Sequence, residues 1–298
     1  MSIIKNLISN IDDMDNRSIS RDTINNFQIR SANDDKNNKN NNSISYKTKR
    51  TNNKKNKKTV DIVIPVYNEE KALEDSVKRL NEFLSENLQK FDCRIVIADN
   101  ASKDNTQNIA KKLEQDGICK YLFIPRKGRG YALKEAWMKS NADIVTYMDV
   151  DLSTELEALP KLINALATRY DIGTGSRLHK ESKTKRSFKR EFISRTYNLI
   201  IKSLFWTNFT DAQCGFKGAT RRAVNELVPL IKDNEWFFDT ELLILAERKG
   251  YKIFDFPVKW IEDTDSKVQL INDIIKFIKN LLAFRWRLWV NERRDNRG

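Results

Sequence analysis

The amino-acid sequence predicts an α/β fold in which helices flank a mainly parallel sheet. Short hydrophobic runs rich in β-branched residues recur along the chain, and most are followed by apolar residues at helical spacing. Strands that alternate with helices imply right-handed crossovers and parallel pairing. With 298 residues, the chain is long enough for one large domain of this kind with appendages.

The first two strand–helix units predict the start of the sheet. Residues 60–66 form a compact β-branched run, and residues 94–98 form a second one that ends in the polar motif Asp-Asn-Ala-Ser-Lys-Asp. Each run predicts a buried strand, and a helix follows each because apolar residues then recur at helical spacing. In the first helix these residues are Leu73, Val77, Leu80, Leu84 and Leu88.

The next two units contain the most distinctive polar segments. A short strand at 121–124 leads into a basic loop with two glycines at 125–130, and a helix follows. The fourth strand begins at Ile144 and stops abruptly at Asp149 and Asp151. Two carboxylates at the carboxyl end of a strand lie where open α/β sheets bind ligands.

Asp149 and Asp151 are therefore candidate metal ligands. Carboxylates are rarely buried without a partner, and hard oxygen ligands suit Mg²⁺ or Mn²⁺. Such ions are commonly held by one or two carboxylates together with the phosphates of a substrate. A solvated loop or a helix cap is the alternative explanation of the same pair.

The remainder of the chain continues the alternation as far as residue 260. A densely basic segment, 180–195, separates it into two parts. The predicted elements are a helix at 155–169, a strand at 171–177, helical spacing at 197–209, a helix before 234–241 and a strand at 253–260.

The net charge of +13 raises the question of nucleic-acid binding. Residues 1–58 contribute +7 of it and are crowded with Asn, Ser and Lys, without a sustained apolar period. This composition predicts a disordered basic tail. Because about half of the excess charge is separable from the folded part, a nucleic-acid partner is not expected; a solvated linker or contact with anionic lipid are the alternatives for the tail.

Other residue types restrict the site chemistry. Residues 1–14 lack the apolar central region of a secretory signal, so we expect the folded part to face the cytosol. Three scattered cysteines are more typical of reduced structural thiols than of bridges or zinc ligands. A single histidine excludes sites that need several imidazoles.

The C-terminal segment, 268–298, predicts an amphipathic helix with a basic end. Its charges argue against a membrane-spanning helix, whereas the apolar face with Trp and Arg near one end is typical of a helix in a membrane interface. An ordinary terminal helix packed on the domain is the alternative.

Seven short motifs in this order resemble those of family 2 glycosyltransferases, in particular the dolichyl-phosphate and polyprenyl-phosphate sugar transferases. The resemblance covers 60–267, and the domain is expected to span 59–267. It implies a GT-A type, Rossmann-like fold, a nucleotide-sugar donor such as UDP-glucose or GDP-mannose, a divalent metal and a lipid phosphate acceptor. The motifs are Ile-Pro-Val-Tyr-Asn-Glu, Asp-Asn-Ala-Ser-Lys-Asp, Gly-Arg-Gly-Tyr-Ala, Met-Asp-Val-Asp, Gly-Ser-Arg, Gln-Cys-Gly-Phe-Lys and Phe-Asp-Thr-Glu-Leu.

The resemblance also implies roles for individual residues. Asp149 and Asp151 would hold the metal, with Ser153 as a possible further ligand, and Arg177 would face a phosphate. The acceptor phosphate would meet Arg190 and Ser194 as well. The donor-binding residues would be Pro65, Tyr67, Glu69, Asp99, Asn100, Gly128, Arg129 and, through the metal, Asp149.

The implied reaction transfers a hexose from a nucleoside diphosphate to a dolichyl or polyprenyl phosphate, with inversion at the anomeric carbon. Asp239 corresponds to the segment that contains the base in relatives with hydroxyl acceptors, and we expect it to orient a reacting group or to stabilise the start of a helix. The membrane surface, on its cytoplasmic side, would be a further partner of a peripheral enzyme.

Three other functions are compatible with parts of the sequence. The same fold could transfer a sugar to a sugar or protein hydroxyl. A non-catalytic nucleic-acid or membrane-binding protein could act through its basic tail, and a nucleotidyltransferase would share the order of elements. Residues 213–217 and the terminal amphipathic helix have no role in a nucleotidyltransferase.

Overall fold

The strands of the computed structural model form one seven-stranded sheet and one two-stranded sheet. The structure describes residues 57–185, 187–261 and 270–295, which belong to one compact unit, and the predicted tail lies outside this part except for residues 57 and 58. The order of the large sheet is β3-β2-β1-β4-β7-β5-β8. Its strands are β1 (Thr59–Val66), β2 (Asp92–Asp99), β3 (Cys119–Phe123), β4 (Ile144–Met148), β5 (Ile172–Ser176), β7 (Phe216–Thr220) and β8 (Ile253–Pro257).

Eight α-helices lie in the described part of the chain. They are α1 (Leu73–Asn87), α2 (Thr106–Gln115), α3 (Arg129–Lys139), α4 (Ala158–Thr168), α5 (Phe188–Phe205), α6 (Arg221–Leu227), α7 (Phe238–Arg248) and α8 (Leu270–Asp295). A short 3₁₀ turn, Val228–Leu230, follows α6. The two strands of the small sheet, β6 (Lys183–Lys185) and β9 (Lys259–Ile261), pair in parallel.

The topology creates a binding crevice beside β1. The chain runs from β1 outward to β2 and β3, and then returns to place β4 on the other side of β1 in parallel. In open α/β sheets, ligands bind at the carboxyl ends of the strands where the strand order reverses in this way. The residues that follow β1, β2 and β4 therefore line the expected binding site.

The two faces of the large sheet are both covered, which explains the near-continuous hydrophobic runs of its strands. Alternate residues of β1 point to opposite faces: Ile62 and Ile64 pack with α1, α2 and α4, whereas Val63 packs with α3, α6 and α7. Both clusters consist of buried side chains. The rigid layer beneath the crevice is thus packed from above and below.

The predicted fold class is confirmed, and most predicted strands lie within two residues of their observed positions. β7 is the main difference, because it runs antiparallel between β4 and β5 where the sequence analysis identified only a motif. The predicted strand 253–260 is divided between β8 and β9. Helix α5 begins at Phe188, inside the basic segment 180–195 and before the helical spacing that the sequence shows from residue 197.

The C-terminal helix α8 packs against the domain along one side. Leu281, Phe284 and Leu288 are buried, and Phe284 contacts the rings of Phe205 and Phe237 at centroid distances of 5.7 and 6.1 Å. None of the helices in the described ranges combines the length and the apolar character needed to cross a membrane. Side chains of 270–275, which carry part of the predicted apolar face, lie outside the described residues.

Candidate active site

The turn after β4 presents two carboxylates at the edge of the crevice. The side chain of Asp149 is 42% exposed, and Asp151 is exposed. The backbone N–H of Ser153 donates to Asp151 Oδ1 (2.9 Å), and that of Leu152 to the Asp149 carbonyl (3.2 Å), so the turn is tight. The structure therefore brings Asp149, Asp151 and Ser153 together on one short segment.

Backbone strain is concentrated at this edge of the sheet. Asn68 (φ 57°), Ala101 (φ 59°) and Leu152 (φ 50°) have left-handed conformations without being glycines. They follow β1, β2 and β4, the three strands that border the crevice. Strained residues of this kind cost on the order of 1–3 kcal/mol each and are concentrated at functional sites.

Arg129 links the turn after β4 to helix α7. Its Nη2 donates to Asp149 Oδ1 (2.8 Å), and its Nη1 donates to Asp239 Oδ2 (3.0 Å). Its guanidinium lies over the rings of Tyr147 and Trp236, at 5.0 and 4.7 Å from their centroids. Burial disfavours the charged form of Arg129, but the neighbouring carboxylates outweigh it and raise the pKa well above its usual value.

Asp239 lies inside the protein, at the start of α7, rather than on the crevice surface. Only 4% of its side chain is exposed. Besides Arg129, the Tyr147 hydroxyl donates to Oδ1, and Lys217 Nζ lies 3.5 Å from the same oxygen. Lys217 is fully buried and also donates to the Cys214 carbonyl. Asp239 is thus the counter-ion of two buried cations.

Gly215 explains how the carboxylate of Asp149 fits against β7. A Cβ atom at Gly215 would lie 1.8 Å from Asp149 Oδ2, so a larger residue cannot occupy this position without displacing the carboxylate. This glycine belongs to the Gln-Cys-Gly-Phe-Lys motif. The motif therefore provides both the surface against which Asp149 rests and the buried Lys217.

The two glycines of the basic loop pack against protein. A Cβ at Gly128 would lie 2.6 Å from the Asn234 carbonyl, and one at Gly130 would lie 2.6 Å from the Glu235 carbonyl. The N–H of Tyr131 also donates to the Asn234 carbonyl (2.9 Å). Close packing of this loop on the segment before α7 is a sufficient reason for glycine at both positions, and it holds Arg129 in place.

The residues after β1 and β2 that are expected to bind the nucleotide sugar form one connected group. Asn100 Oδ1 accepts from the Gly128 N–H (2.7 Å), and Asp99 accepts from the Tyr121 hydroxyl (2.8 Å) and the Ser102 N–H (2.9 Å). Lys127 Nζ lies 4.1 Å from the ring centroid of Tyr67.

Pro65 and Glu69 flank Tyr67 and are partly buried. Asp99 and Asn100 are themselves buried, and in this conformation they shape the loops around the crevice.

Arg177 makes a closed ion pair. Its Nε and Nη2 donate to the two oxygens of Asp211 at 2.7 and 3.0 Å, and its N–H donates to Asp211 Oδ2 (3.1 Å). Burial opposes the ionised form of Asp211, but the Arg177 guanidinium outweighs it and lowers the pKa of Asp211 to about 2. The guanidinium of Arg177 is therefore committed to a protein carboxylate.

Arg190 and Ser194 lie in the first two turns of α5. The hydroxyl of Ser187 caps this helix by accepting from the Arg190 N–H. One turn after Ser194, buried Asn198 accepts from the Ala212 N–H (2.9 Å) and so fixes α5 to the turn that contains Asp211. The structure places this basic helix beside the Arg177–Asp211 pair and does not bring Arg190 or Ser194 into a described contact with Asp149.

A divalent cation fits the chemistry of the turn after β4. Asp149 and Asp151 offer hard carboxylate oxygens on side chains that solvent reaches, and Asp149 Oδ2 lies against Gly215. No cluster of three or more His, Cys, Asp or Glu residues suited to a metal occurs in the described part of the chain. Two carboxylates are nevertheless sufficient where substrate phosphates supply further ligands, as is common for Mg²⁺.

A separate cavity of about 400 Å³ lies at the opposite edge of the sheet, beside the amino ends of β2 and β3. Cys93 and Cys119 line it, and burial raises the pKa of each thiol to about 12. It contains none of the residues that face the crevice, so we do not associate it with the candidate active site.

The sequence predicted no role for Tyr147, Gly215 and Trp236, and it did not predict that Arg177 pairs with Asp211 or Lys217 with Asp239. A lysine within the strand Phe-Lys-Gly-Ala-Thr was a usable signal, because a buried lysine needs a counter-ion. Tyr147 lies two residues before Asp149 and so on the same side of β4. Trp236 and the pairing of Arg177 with Asp211 gave no comparable signal.

Comparisons with known proteins bear on the family and the fold of the chain. The family model "Glycosyl transferase family 2" matches residues 61–228. The dolichyl-phosphate β-glucosyltransferase of Saccharomyces cerevisiae is 30% identical over 263 residues, which cover 80% of this chain and 77% of the relative. Glycosyltransferase AglD of Haloferax volcanii is 35% identical over 237 residues, which cover 78% of this chain but only 38% of the relative.

Solved structures support the fold. Glucosyl-3-phosphoglycerate synthase from Mycobacterium tuberculosis, in complex with Mn²⁺, UDP and glucosyl-3-phosphoglycerate, superposes with a TM-score of 0.59 at 17% identity. The match covers 76% of this chain and 80% of that one. The expected GT-A type fold is confirmed.

Proposed function

The chain belongs to glycosyltransferase family 2, and on that premise we propose that it transfers a hexose from a nucleoside-diphosphate sugar to a dolichyl or polyprenyl phosphate, with inversion. The observation that carries this proposal is the Arg129–Asp149 pair at the topological switch point, with Asp149 open to the crevice. UDP-glucose is the proposed donor because the similar eukaryotic relatives are dolichyl-phosphate β-glucosyltransferases.

The residues at the crevice have distinct roles in this reaction. Asp149 and Asp151 would hold Mg²⁺ or Mn²⁺, with Ser153 adjacent, and the bound ion would neutralise charge on the departing diphosphate. Arg129 stabilises negative charge that develops beside Asp149. Tyr67, Asn100 and the basic loop 125–130, which both residues contact, border the nucleoside.

The acceptor requires alignment rather than activation. An acceptor phosphate oxygen attacks the anomeric carbon and forms the new C–O bond, while the C–O bond to the diphosphate breaks and its electron pair leaves with the nucleotide. Because the second pKa of a phosphate monoester is near ~6, the attacking oxygen is already anionic at neutral pH. Arg190 and Ser194 on α5 are the proposed acceptor contacts, next to the Arg177–Asp211 pair.

A lipid phosphate needs an apolar surface beside the site, and α5 and α8 provide one. Phe188, Phe192 and Leu199 lie on one side of α5 at spacings of four and seven residues, Trp206 follows the last residue of the helix, and all four are exposed. On α8, Ile278, Leu282 and Trp286 form a second exposed row. We call these seven residues the α5–α8 face.

The α5–α8 face fits the cytoplasmic surface of a membrane. Arg285 lies over the ring of Trp206 (5.9 Å), so the two rows are adjacent. Exposed Arg195, Lys279 and Arg293 accompany the apolar side chains, which suits anionic headgroups. Phe284 packs α8 against Phe205 of α5. The proposed membrane contact therefore includes two helices and not only the predicted C-terminal one.

Product partition tests the proposed reaction. Purified protein is incubated with radiolabelled UDP-glucose, Mg²⁺ or Mn²⁺ and a short polyprenyl phosphate, and GDP-mannose replaces the donor in a parallel reaction. We expect label to move into organic solvent and to be released by mild acid. Label that stays in water on a sugar or protein acceptor would instead establish the hydroxyl-transferring alternative.

A further inference from the structure

Helix α7 begins with a carboxylate that is surrounded by donors. Asp239 Oδ2 accepts from Arg129 Nη1, while Oδ1 accepts from the Tyr147 hydroxyl and lies 3.5 Å from Lys217 Nζ. These donors come from three different elements, α3, β4 and β7. Both oxygens of Asp239 are therefore engaged inside the protein.

We infer that Asp239 is a positioning residue that fixes Arg129, and through Arg129 the carboxylate of Asp149. This inference rests on the proposed function and specifies how its site is held. Asp239 acts through another side chain and does not accept a proton from the substrate.

The burial of the cluster is the first argument. A proton acceptor must come within hydrogen-bonding reach of the proton that it removes. Asp239 is almost fully enclosed, whereas Asp149 is 42% exposed. The carboxylate that faces the crevice is thus Asp149, with Arg129 lying between it and Asp239.

The charges of the cluster are the second argument. Arg129 and Lys217 are buried cations, and Asp239 is within 3.5 Å of both. Removing one member of a buried ion pair leaves an uncompensated charge, which is strongly unfavourable. Asp239 therefore lies where its carboxylate can hold both cations in place.

The geometry around Arg129 is the third argument. Rings of Tyr147 and Trp236 lie over its guanidinium, and Gly128 and Gly130 allow its loop to pack directly on residues 234–235. With the backbone and the plane of the guanidinium restricted in this way, the bond to Asp239 fixes which nitrogen is directed at Asp149.

The inference has a consequence for the acceptor class. A sugar or protein hydroxyl must lose its proton during transfer, so an acceptor of that class requires a base within reach. If Asp239 is committed to Arg129 and Lys217, it is not available for that task. An acceptor that is already anionic, such as a phosphate monoester, needs no base.

Nucleotide binding without acceptor separates a positioning residue from a proton acceptor. Affinity for UDP in the presence of Mn²⁺ is measured by calorimetry on the full chain, with GDP as a second probe. We expect Asp239→Asn to weaken UDP binding by about tenfold or more, as for the loss of a charge-assisted hydrogen bond. Unchanged UDP affinity combined with a lower kcat would overturn the inference, because a base acts only on the acceptor.

A double-substitution cycle tests whether Asp239 acts through Arg129. In an Arg129→Met background, Asp239→Asn should weaken UDP binding by less than about twofold further, since the group that it positions is already gone. Effects that multiply would show that Asp239 acts independently and would contradict the inference. Asp171→Asn is the matched control, because Asp171 pairs with exposed Arg222 before β5, at the opposite edge of the sheet, and UDP affinity should not change.

Folding is controlled by a milder substitution. Tyr147→Phe removes one hydrogen bond to Asp239 and keeps the ring beneath Arg129, so we expect a smaller loss of UDP affinity in the same direction, with a native circular dichroism spectrum. Unchanged UDP affinity in this variant would contradict the inference even if Asp239→Asn does not fold. If the unsubstituted protein binds neither UDP nor GDP with Mn²⁺, the proposed function fails, which is a different result.

Discussion

Arg129 and Arg177 are both largely buried arginines paired with aspartates near the carboxyl edge of the same sheet, yet they have different surroundings. Arg177 gives both bonds to one fully buried carboxylate, Asp211. Arg129 divides its bonds between buried Asp239 and partly exposed Asp149. One pair is closed, and the other opens to the crevice.

This difference separates stability from ligand binding. The closed pair directs Nε and Nη2 of Arg177 at a fully buried carboxylate, which supports a structural role for Arg177 in this conformation. The Arg129 pair ends in a carboxylate at the surface, so a ligand can bind there without disrupting a buried pair. We therefore expect substitutions at the closed pair to change the free energy of unfolding and those at the open pair to change activity.

Asp211→Asn should have the largest effect on stability. It leaves the Arg177 guanidinium buried without a counter-ion, and breaking a buried pair costs about 3–5 kcal/mol. Urea denaturation followed by circular dichroism measures the change, and UDP affinity of the folded fraction should remain close to that of the parent. A loss of UDP affinity with unchanged stability would show that the closed pair contributes to ligand binding and not to stability.

Asp149→Asn should mainly affect turnover. Losing a charged group at the reacting centre costs on the order of 10²- to 10³-fold in rate. Its partly exposed side chain adds little to folding, so the urea midpoint should change far less than in Asp211→Asn. Initial rates of sugar transfer with saturating Mn²⁺ measure the effect, and undiminished turnover would remove Asp149 from the site.

Gly215→Ala tests how tightly the open pair is held. The added Cβ would lie 1.8 Å from Asp149 Oδ2 and must displace that carboxylate. We expect turnover to fall by about tenfold to 100-fold, because a misplaced catalytic group costs roughly this much. Gly117→Ala is the control: Gly117 has φ 74° and open space around it, so alanine there should cost about 1 kcal/mol of stability and leave turnover unchanged.

The closed pair should also produce a dependence of stability on pH. The folded pKa of Asp211, about 2, lies below the ordinary value of 3.8, so its contribution is present above about pH 4 and is lost as pH falls towards 2. We expect the stability difference between the parent and Asp211→Asn to be about 1 kcal/mol smaller at pH 3 than at pH 6. A difference that is constant between these pH values would contradict the lowered pKa of Asp211.

The comparison also shows which features a sequence can predict. The strand before Asp149 was recognisable because short runs of β-branched residues alternate along the chain with segments of helical spacing. The place of the acidic pair at the binding edge then followed from the topology of open sheets. The ion partners were not recognisable, because Arg129 and Asp239 are 110 residues apart and Arg177 and Asp211 are 34 residues apart. Strand β7 was not recognisable because two small residues and a buried lysine interrupt its hydrophobic pattern.

The smallest predicted effect on stability concerns the α5–α8 face, which is exposed to solvent, unlike the two ion pairs. Trp206→Ser removes an exposed ring that neighbours Arg285 and should leave the free energy of unfolding within about 0.5 kcal/mol of the parent. Each buried CH₂ contributes about 0.8 kcal/mol, so a partly inserted indole is expected to contribute at least a several-fold change in partition to vesicles that contain anionic phospholipid.

Vesicle sedimentation of the full chain measures this partition. Phe123→Ser, which alters an exposed ring on edge strand β3, away from α5 and α8, is the matched control and should sediment like the parent. If both variants sediment equally, the exposed aromatic residues do not define a membrane contact. If only Trp206→Ser is released, the α5–α8 face is the membrane contact that the proposed lipid acceptor requires.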